Sequence, residues 1–158
     1  MREAALDVPA PDKWGEGLVA VDQGEPVVVG VRLESVHEGI LASGSIDTRF
    51  TGICGRCLTD IAEGVQVEFQ ELFAYPGNEA TDFEVQDDHV DLETLVRDAT
   101  VLALPFQPVC QPDCPGLDPA TGERRTEITG AEQSTPPDPR WAALQEYTPD
   151  HDNEAPRA

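Results

Sequence analysis

The stretch Val27-Val-Val-Gly-Val-Arg-Leu-Glu-Ser-Val36 decides the fold class of this chain, because apolar and polar side chains alternate along it. Val27, Val29, Val31 and Leu33 share one face of the stretch. The opposite face carries Arg32 and Glu34. A repeat of two residues is typical of a strand with one face buried and one face in water.

Two further strands are predicted after this first strand. His37-Glu-Gly39 supplies a turn, and Ile40–Ile53 then alternates in the same way, most clearly at Ile46, Thr48 and Phe50. After a short break, alternation resumes at Val65 and continues to Tyr75. Adjacent strands joined by short turns pair antiparallel, so we expect an antiparallel sheet or a partly open small β-barrel.

Asp91–Leu104 is the segment best suited to form a helix. Its apolar residues recur at helical spacing, and they are Leu92, Leu95, Val96, Ala99, Leu102 and Ala103. Asp91 can cap the first turn, and Pro105 disfavours helical backbone at the residue before it. We expect this apolar stripe to pack on the sheet, which makes the fold class α+β.

Four cysteines in two close pairs are the main chemical feature of the chain. Cys54 and Cys57 enclose two residues, Cys110 and Cys114 enclose three, and 52 residues separate the pairs. Thiolates at such spacings can converge on one tetrahedral metal ion, and zinc is the usual occupant. We predict a structural zinc site that joins the sheet to the end of the helix, with Arg56 offsetting the negative charge of four thiolates.

Two other interpretations of the cysteines stay open at this point. They could be reduced thiols without a metal, or a redox pair, which requires a reactive Cys-x-x-Cys at a helix N-terminus in a βαβ setting. The flanks of Cys54 are strand-like, which does not favour the redox interpretation. His37, His89 and His151 stand at no ligand spacing, and no catalytic motif is present, so we predict no catalytic residue.

Composition restricts the partners of the chain. With 31 acidic and 10 basic residues among 158, the formal net charge is −21, which repels naked nucleic acid and anionic membranes. The longest apolar run is Val101–Phe106, too short to span a bilayer. We therefore expect a soluble cytoplasmic protein without membrane contact or a small-molecule substrate.

The remaining segments are expected to be less ordered. Residues 1–17 read as a flexible arm, and residues 77–90 as an exposed acidic loop, since seven acidic residues and no Lys or Arg lie between Glu79 and Glu93. Residues 118–137 are polar and rich in Pro, Gly and Thr, which indicates a linker.

A short C-terminal helix is predicted over residues 138–147, ahead of an acidic disordered tail at 148–158. Asp138 can cap it, Pro139 suits its first turn, and Trp141 and Leu144 share one face. So short a helix is not stable alone, so we expect Trp141 and Leu144 to dock on the domain or on a partner.

Several motifs together resemble the YceD-like family, which is named for accumulation of the large ribosomal RNA, in its high-GC Gram-positive form. The motifs are Cys54-Gly-Arg-Cys-Leu58, Phe69-Gln-Glu-Leu-Phe73, Asp91-Leu-Glu93, Asp98 with Leu102-Ala-Leu-Pro105, Val109-Cys-Gln-Pro-Asp-Cys-Pro-Gly-Leu117 and Asp138-Pro-Arg-Trp-Ala-Ala-Leu144. The resemblance covers about residues 18–147, with the α+β domain at 18–117. Where many members have a further Cys-x-x-Cys pair, this chain has Asp118 and Thr121. Asp118 could be a substitute metal ligand.

The resemblance implies a non-enzymatic factor that supports synthesis, processing or accumulation of large-subunit (23S) ribosomal RNA. The expected partner is a ribosomal RNA precursor or a basic ribosomal or assembly protein. The acidity of the chain favours the basic protein. The alternatives are a thiol redox or redox-sensing protein and a zinc-stabilised adaptor that binds other proteins.

Overall fold

A computed structural model describes residues 1–77, 83–126 and 140 of the chain. The chain divides into two compact units, Met1–Ile128 and Thr129–Ala158. All described residues except Arg140 belong to the first unit. The predicted C-terminal helix, Trp141, Leu144 and the acidic tail lie outside the described residues. The following description concerns the first unit.

Five antiparallel strands and one helix make up this unit. In chain order they are β1 (Arg2–Pro9), β2 (Val19–Ala20), β3 (Pro26–Ser35), β4 (Gly39–Ile53), β5 (Asp60–Ala74) and α1 (Glu93–Ala103). The long strand β4 is central, and β5 pairs with its whole length on one side. On the other side β4 pairs with β3 and, near its end, with β2, while β1 lies outside β3.

The register places one apolar face of all the long strands on the same side of the sheet. Ile46 of β4 lies opposite Val29 of β3 and Val67 of β5, so the alternating patterns of the three strands coincide. Ile46, Phe50 and Phe73 are buried in the core that forms on this face. The three adjacent antiparallel strands predicted from the sequence are therefore confirmed, and β5 begins five residues before the predicted start at Val65.

Helix α1 covers the apolar face and packs against β5. Leu95, Val96 and Thr100 are its buried side chains, and the Thr100 hydroxyl donates to the Val96 carbonyl oxygen at 2.7 Å. The expected position of Leu102 in the core is wrong, because its side chain is 86% exposed. The last turn thus carries its apolar residues away from the sheet.

The N-cap position of α1 is Leu92, which makes no side-chain cap bond, and Asp91, the predicted cap, lies one residue before it. The helix begins at Glu93, whose backbone N–H donates to the Asp91 carboxylate at 2.9 Å. Leu104, the residue before Pro105, is extended, with φ −62° and ψ 138°. Proline therefore ends the helix as expected.

The N-terminal segment differs from the flexible arm expected over residues 1–17. Residues 2–9 form the edge strand β1, with Leu6 opposite Val29. Trp14 pairs with Val21 through two backbone hydrogen bonds, and its side chain is buried. Backbone pairing and the Trp14 ring, not a run of buried residues, hold this segment to the sheet.

The acidic segment expected to be a solvated loop over residues 77–90 also contributes to the core in its described part. The rings of Phe83 and Phe73 lie 5.2 Å apart, and Val85 is buried. Asp87 and Asp88 both adopt positive φ in the turn between Gln86 and His89. The carboxylates face water while neighbouring apolar residues pack inward.

The fold class predicted from the sequence, α+β, is confirmed in its open-sheet form. Strands β1 and β5 lie on opposite sides of the sheet, and within residues 1–77 they do not pair with each other to close a barrel. Within the described part of the chain, no helix is long and apolar enough to cross a membrane.

Candidate metal centre

All four cysteines converge at one end of the long β4–β5 hairpin. Cys54 follows the last residue of β4, and Cys110 and Cys114 lie on the segment after α1. The Cys54 and Cys114 sulfurs are 3.8 Å apart, and those of Cys57 and Cys110 are 3.6 Å apart. All four sulfurs lie within 4.8 Å of one another.

These separations fit a tetrahedral metal ion. A zinc–sulfur bond of about 2.3 Å requires neighbouring sulfurs of a regular tetrahedron to be about 3.8 Å apart. A disulfide, by contrast, needs sulfurs at about 2.05 Å, and all four cysteines are free. The four thiols together could hold a metal ion of the kind that prefers sulfur.

A tight turn after β4 positions the first pair. The Leu58 N–H donates to the Cys54 carbonyl oxygen, and the Cys54 N–H donates to the Thr59 carbonyl oxygen. Leu58 takes the positive φ, 57°, that such a turn requires, so the bend does not depend on Gly55 in this respect. The Arg56 N–H points at the Cys54 sulfur, 3.4 Å away.

Hydrogen bonds from the first pair's turn hold the second pair in place. The Gly55 N–H donates to the Pro108 carbonyl oxygen at 2.8 Å. The Arg56 guanidinium donates to the carbonyl oxygens of Pro112 and Cys114, at 3.2 and 3.3 Å. Arg56, expected from the sequence to offset thiolate charge, is thus also a bridge between the two halves of the site.

The first pair favours the thiolate form. Burial of Cys54 opposes ionisation, but N–H groups of Cys57, Cys110 and Arg56 point at its sulfur and together lower its pKa to about 6. The Thr59 hydroxyl, 3.0 Å from the Cys57 sulfur, and the Thr59 backbone lower the pKa of Cys57. Both thiols are ready to bind a cation.

The second pair keeps its protons more tightly. Hydrogen bonds to the sulfurs of Cys114 and Cys57 raise the pKa of Cys110 to about 12. Burial raises the pKa of Cys114. Cys110 is the exposed member of the cluster and the other three are buried, so an ion would reach the site from the Cys110 side.

A small hairpin that was not predicted from the sequence packs against the turn of the first cysteine pair. Leu117, the last residue of the predicted domain, forms an antiparallel bridge with Arg124 of the segment expected to be a linker. The Arg124 guanidinium donates from Nε to the Cys57 carbonyl oxygen at 3.1 Å and from Nη2 to the Leu58 carbonyl oxygen at 3.4 Å. Gly116 enters the hairpin with φ +75°, where a Cβ would lie 3.3 Å from the Arg56 carbonyl oxygen.

Asp118 and Thr121 take no part in the cysteine cluster. The Asp118 carboxylate accepts the N–H groups of Ala120 and Thr121, at 2.8 and 3.1 Å, and lies 3.5 Å from the Arg125 guanidinium. The idea that Asp118 substitutes for a cysteine ligand therefore finds no support. Asp-Pro-Ala-Thr-Gly is a turn signature that could have revealed the hairpin.

The fold and the site define a class of protein: an open antiparallel sheet with one covering helix and a four-cysteine cluster that ties the sheet to the segment after that helix. The family model described as large ribosomal RNA subunit accumulation protein YceD matches residues 42–146, which contain all four cysteines. The chain belongs to this family.

Proteins similar to this chain occur in mycobacteria and in Bacillus subtilis. A protein of Mycobacterium tuberculosis described as uncharacterized is 43% identical over 147 residues, which covers 88% of this chain and 70% of that protein. An uncharacterized protein of Mycobacterium leprae is 37% identical, covering 87% and 66%. The uncharacterized protein YlbN of Bacillus subtilis is 27% identical, covering 58% and 56%. No solved structure matches this chain.

Proposed function

We propose that this chain is a non-enzymatic cytoplasmic factor that supports the synthesis, processing or accumulation of large-subunit ribosomal RNA. The observation that carries the proposal is membership of the family that is described by large ribosomal RNA subunit accumulation. The match includes most of β4, all of β5 and α1, and both cysteine pairs, so it covers all four candidate ligands.

Zinc is the proposed occupant of the cysteine cluster, in a structural role. The sulfur separations of 3.6 and 3.8 Å support this, since they are close to those around a zinc ion bound by four thiolates. Four protein ligands fill a tetrahedral site and leave no position for a substrate, which supports a role other than catalysis. The bound ion would fix the end of the β4–β5 hairpin to the segment after α1.

A basic protein is the proposed first partner. At a net charge of −21 the chain is repelled by the phosphates of naked RNA, whereas ribosomal and assembly proteins rich in Lys and Arg are attracted. Electrostatic attraction of this kind mainly accelerates association and selects partners. The chain would thus act on ribosomal RNA through proteins that bind it.

A thiol redox function is the second candidate, and the lowered pKa of Cys54 is the observation that favours it. Burial of three of the four cysteines and sulfur distances well beyond a disulfide bond count against it. The third candidate function is that of a protein-interaction adaptor unrelated to ribosomes. Reversible disulfide formation without bound metal would favour the redox function over the proposed one.

Sedimentation of ribosomal particles from cells lacking this protein tests the proposal. We expect less mature large-subunit RNA and a deficit of large subunits relative to small ones, restored when the wild-type chain is supplied. Unchanged RNA levels and profiles in the deletion strain would overturn the proposed function.

A matched pair of rescue variants separates the site from the rest of the fold. Cys54→Ser removes a buried ligand of the cluster, and Ser45→Ala changes a residue outside it, in the strand β4 that precedes Cys54. We expect Ser45→Ala to restore the profile and Cys54→Ser to fail at the same protein level.

A further inference from the structure

An apolar groove lies between the edge strand β1 and the start of helix α1, on the side of the sheet that carries the core. Its volume is about 390 Å³, within the range of about 300–1,000 Å³ that binding pockets occupy. Leu6 and Val8 of β1, Trp14, and Leu92 and Val96 of α1 are among its lining residues. The groove is far along the sheet from the cysteines and none of them lines it.

The groove leaves apolar side chains uncovered where a further strand would cover them. Leu6 and Val8 point to the core side of the sheet, as Val29 opposite Leu6 does, yet they are 43% and 46% exposed. Within residues 1–77 and 83–126, β3 is the only strand that pairs with β1. The outer edge of β1 therefore offers backbone donors and acceptors beside an open apolar floor.

Two carboxylates lie beside this apolar floor, at the start of α1. Asp91 and Glu93 line the groove itself. Among the described residues that line it, these two are the only charged ones, so its lining carries two carboxylates and no cation. An occupant with cationic side chains beside its apolar ones would be attracted to this rim.

A second copy of the chain is a poor occupant on the same grounds. Pairing of two β1 edges would bring together two molecules that each carry a net charge of −21 and would add acidic rim to acidic rim. Like charges brought close together at an interface oppose association. Charge complementarity favours a basic partner instead.

We propose that the groove between β1 and α1 binds an extended basic segment of a partner protein, which adds as a strand to the free edge of β1. Alternate apolar side chains of that segment would contact Leu6, Val8 and Trp14, and its Lys or Arg side chains would approach Asp91 and Glu93. Strand addition of this kind derives affinity from backbone hydrogen bonds and specificity from alternate side chains. The inference rests on the proposed association with basic proteins and assigns it a place on the molecule.

Trp14 provides a reporter inside the groove. The chain has two tryptophans, so Trp141→Phe in the full-length protein leaves Trp14 as the only indole emitter. The Trp14 side chain is buried, and its N–H has no acceptor among the described residues. A peptide that packs beside the ring changes its surroundings and hence its emission.

The test titrates this variant with the synthetic peptide acetyl-Lys-Leu-Lys-Val-Lys-Leu-Lys-amide. We expect a saturable change in Trp14 emission that weakens as salt is added. Two control peptides carry Glu in place of every Lys, or Ser in place of every Leu and Val. Neither should bind measurably.

Val8 and Val28 form a matched pair of positions for substitution. Val28 lies opposite Asp7 on the other face of the sheet and is 43% exposed, against 46% for Val8. Val8→Ser should weaken peptide binding about tenfold, the effect of losing the burial of one valine, and Val28→Ser should change it less than twofold. Amide NMR of the parent protein with peptide should show shifts concentrated in residues 2–9 and 90–96, which keeps the test decisive if Val8→Ser does not fold.

Several outcomes would overturn the proposal: equal binding by the two valine variants, equal binding of the Glu-containing peptide, or no saturable signal with NMR shifts elsewhere. A dimer in sedimentation that Val8→Ser dissociates would assign the groove to a second copy and also overturn it. Altered ribosomal RNA in the deletion strain without peptide binding leaves the proposed function standing and removes the groove. Peptide binding together with normal ribosomal RNA in the deletion strain would overturn the proposed function and leave the groove standing as a binding site.

Discussion

The Arg124 guanidinium donates to the carbonyl oxygen of Cys57 at 3.1 Å, so a residue outside the cluster fixes the backbone of one of its thiols. A second bond reaches the Leu58 carbonyl oxygen. These bonds fasten the 116–125 hairpin to the turn that carries the first cysteine pair. Residues that orient the ligands of a metal often affect metal affinity strongly.

Arg124→Ala should therefore loosen the cluster without removing a ligand. We expect a loss of about 1 kcal/mol in the free energy of unfolding, the net value of a hydrogen bond in a partly exposed position. Zinc should also dissociate roughly 10-fold faster, as for other residues that position ligands. Denaturant unfolding and competition with a chelator measure the two effects.

Arg49→Ala is the control for this prediction, because Arg49 is an exposed arginine of β4 at a distance from the cysteine turn. It removes the same charge and should change both quantities little. Equal effects of the two substitutions would mean that general charge, not the Arg124 hydrogen bonds, stabilises the site.

Metal content is the most direct test of the cysteine cluster. Protein purified without chelator should contain one zinc per chain, and Cys54→Ser or Cys110→Ser should lose it on dialysis. Because a structural zinc can contribute on the order of 10 kcal/mol in small modules, removal should unfold at least the turn and the segment around Cys114. Elemental analysis and circular dichroism are the measurements. A metal-free chain as stable as the untreated one would contradict the zinc assignment.

Proton release on zinc binding should reflect the unequal pKa values of the two pairs. At pH 8 the Cys54 thiol, with a pKa of about 6, is already ionised, and the pKa of Cys57 is also lowered. Cys110, with a pKa of about 12, and Cys114, with a raised pKa, still carry their protons. Binding should therefore release about two to three protons rather than four, and affinity should rise with pH.

Calorimetry at pH 8 in buffers with different ionisation enthalpies counts these protons. Cys114→Ser removes one of the groups that still carries a proton, so the count should fall by about one in any residual binding. Release of all four protons would show that neither member of the first pair is ionised before the metal binds.

The part of the fold that could be predicted is the part in which local periodicity and burial agree. Strands β3, β4 and β5 have one face in the core and one in water, so alternation marks them. Strand β1 is an edge strand whose eight residues are all exposed, and it leaves no buried pattern to detect. Its position depends on pairing with β3, which is a tertiary contact.

The spacing of the cysteines likewise predicts one part of the candidate site, the cluster itself, and does not predict the residues that support it. Close pairs of cysteines predict their own convergence, and the structure brings all four together. The contribution of Arg124 could not be predicted, because its hydrogen bonds go to backbone carbonyls 66 and 67 residues away in the chain. No sequence pattern distinguishes such an arginine from one on the surface.

Asp118 should have a pKa below that of an ordinary aspartate. The N–H groups of Ala120 and Thr121 lower its pKa most, and the Arg125 guanidinium lowers it further. Because the folded pKa lies below the unfolded one, the carboxylate stabilises the hairpin above its unfolded pKa. That contribution is lost as pH falls through the folded value.

NMR titration of the Asp118 carboxyl carbon measures this shift. Arg125→Ala should raise the pKa only part of the way, since the two backbone donors remain. Asp118→Ala should release the turn and speed amide exchange at Ala120 and Thr121, while exchange in β4 stays slow. An unshifted carboxyl in the wild-type chain would contradict the turn geometry.

Leu95 and Leu102 test which face of α1 packs on the sheet. Both belong to the apolar stripe, but Leu95 is buried in the core and Leu102 is 86% exposed. Leu95→Ala should lower the free energy of unfolding by about 2–4 kcal/mol, because it removes buried methyl groups and leaves a cavity. Leu102→Ala should change it by less than about 0.5 kcal/mol, as for other exposed positions. The pair is matched in residue type, substitution and helix, so helix propensity cancels between the two variants. Comparable losses in denaturant unfolding would place the final turn of α1 against the sheet after all.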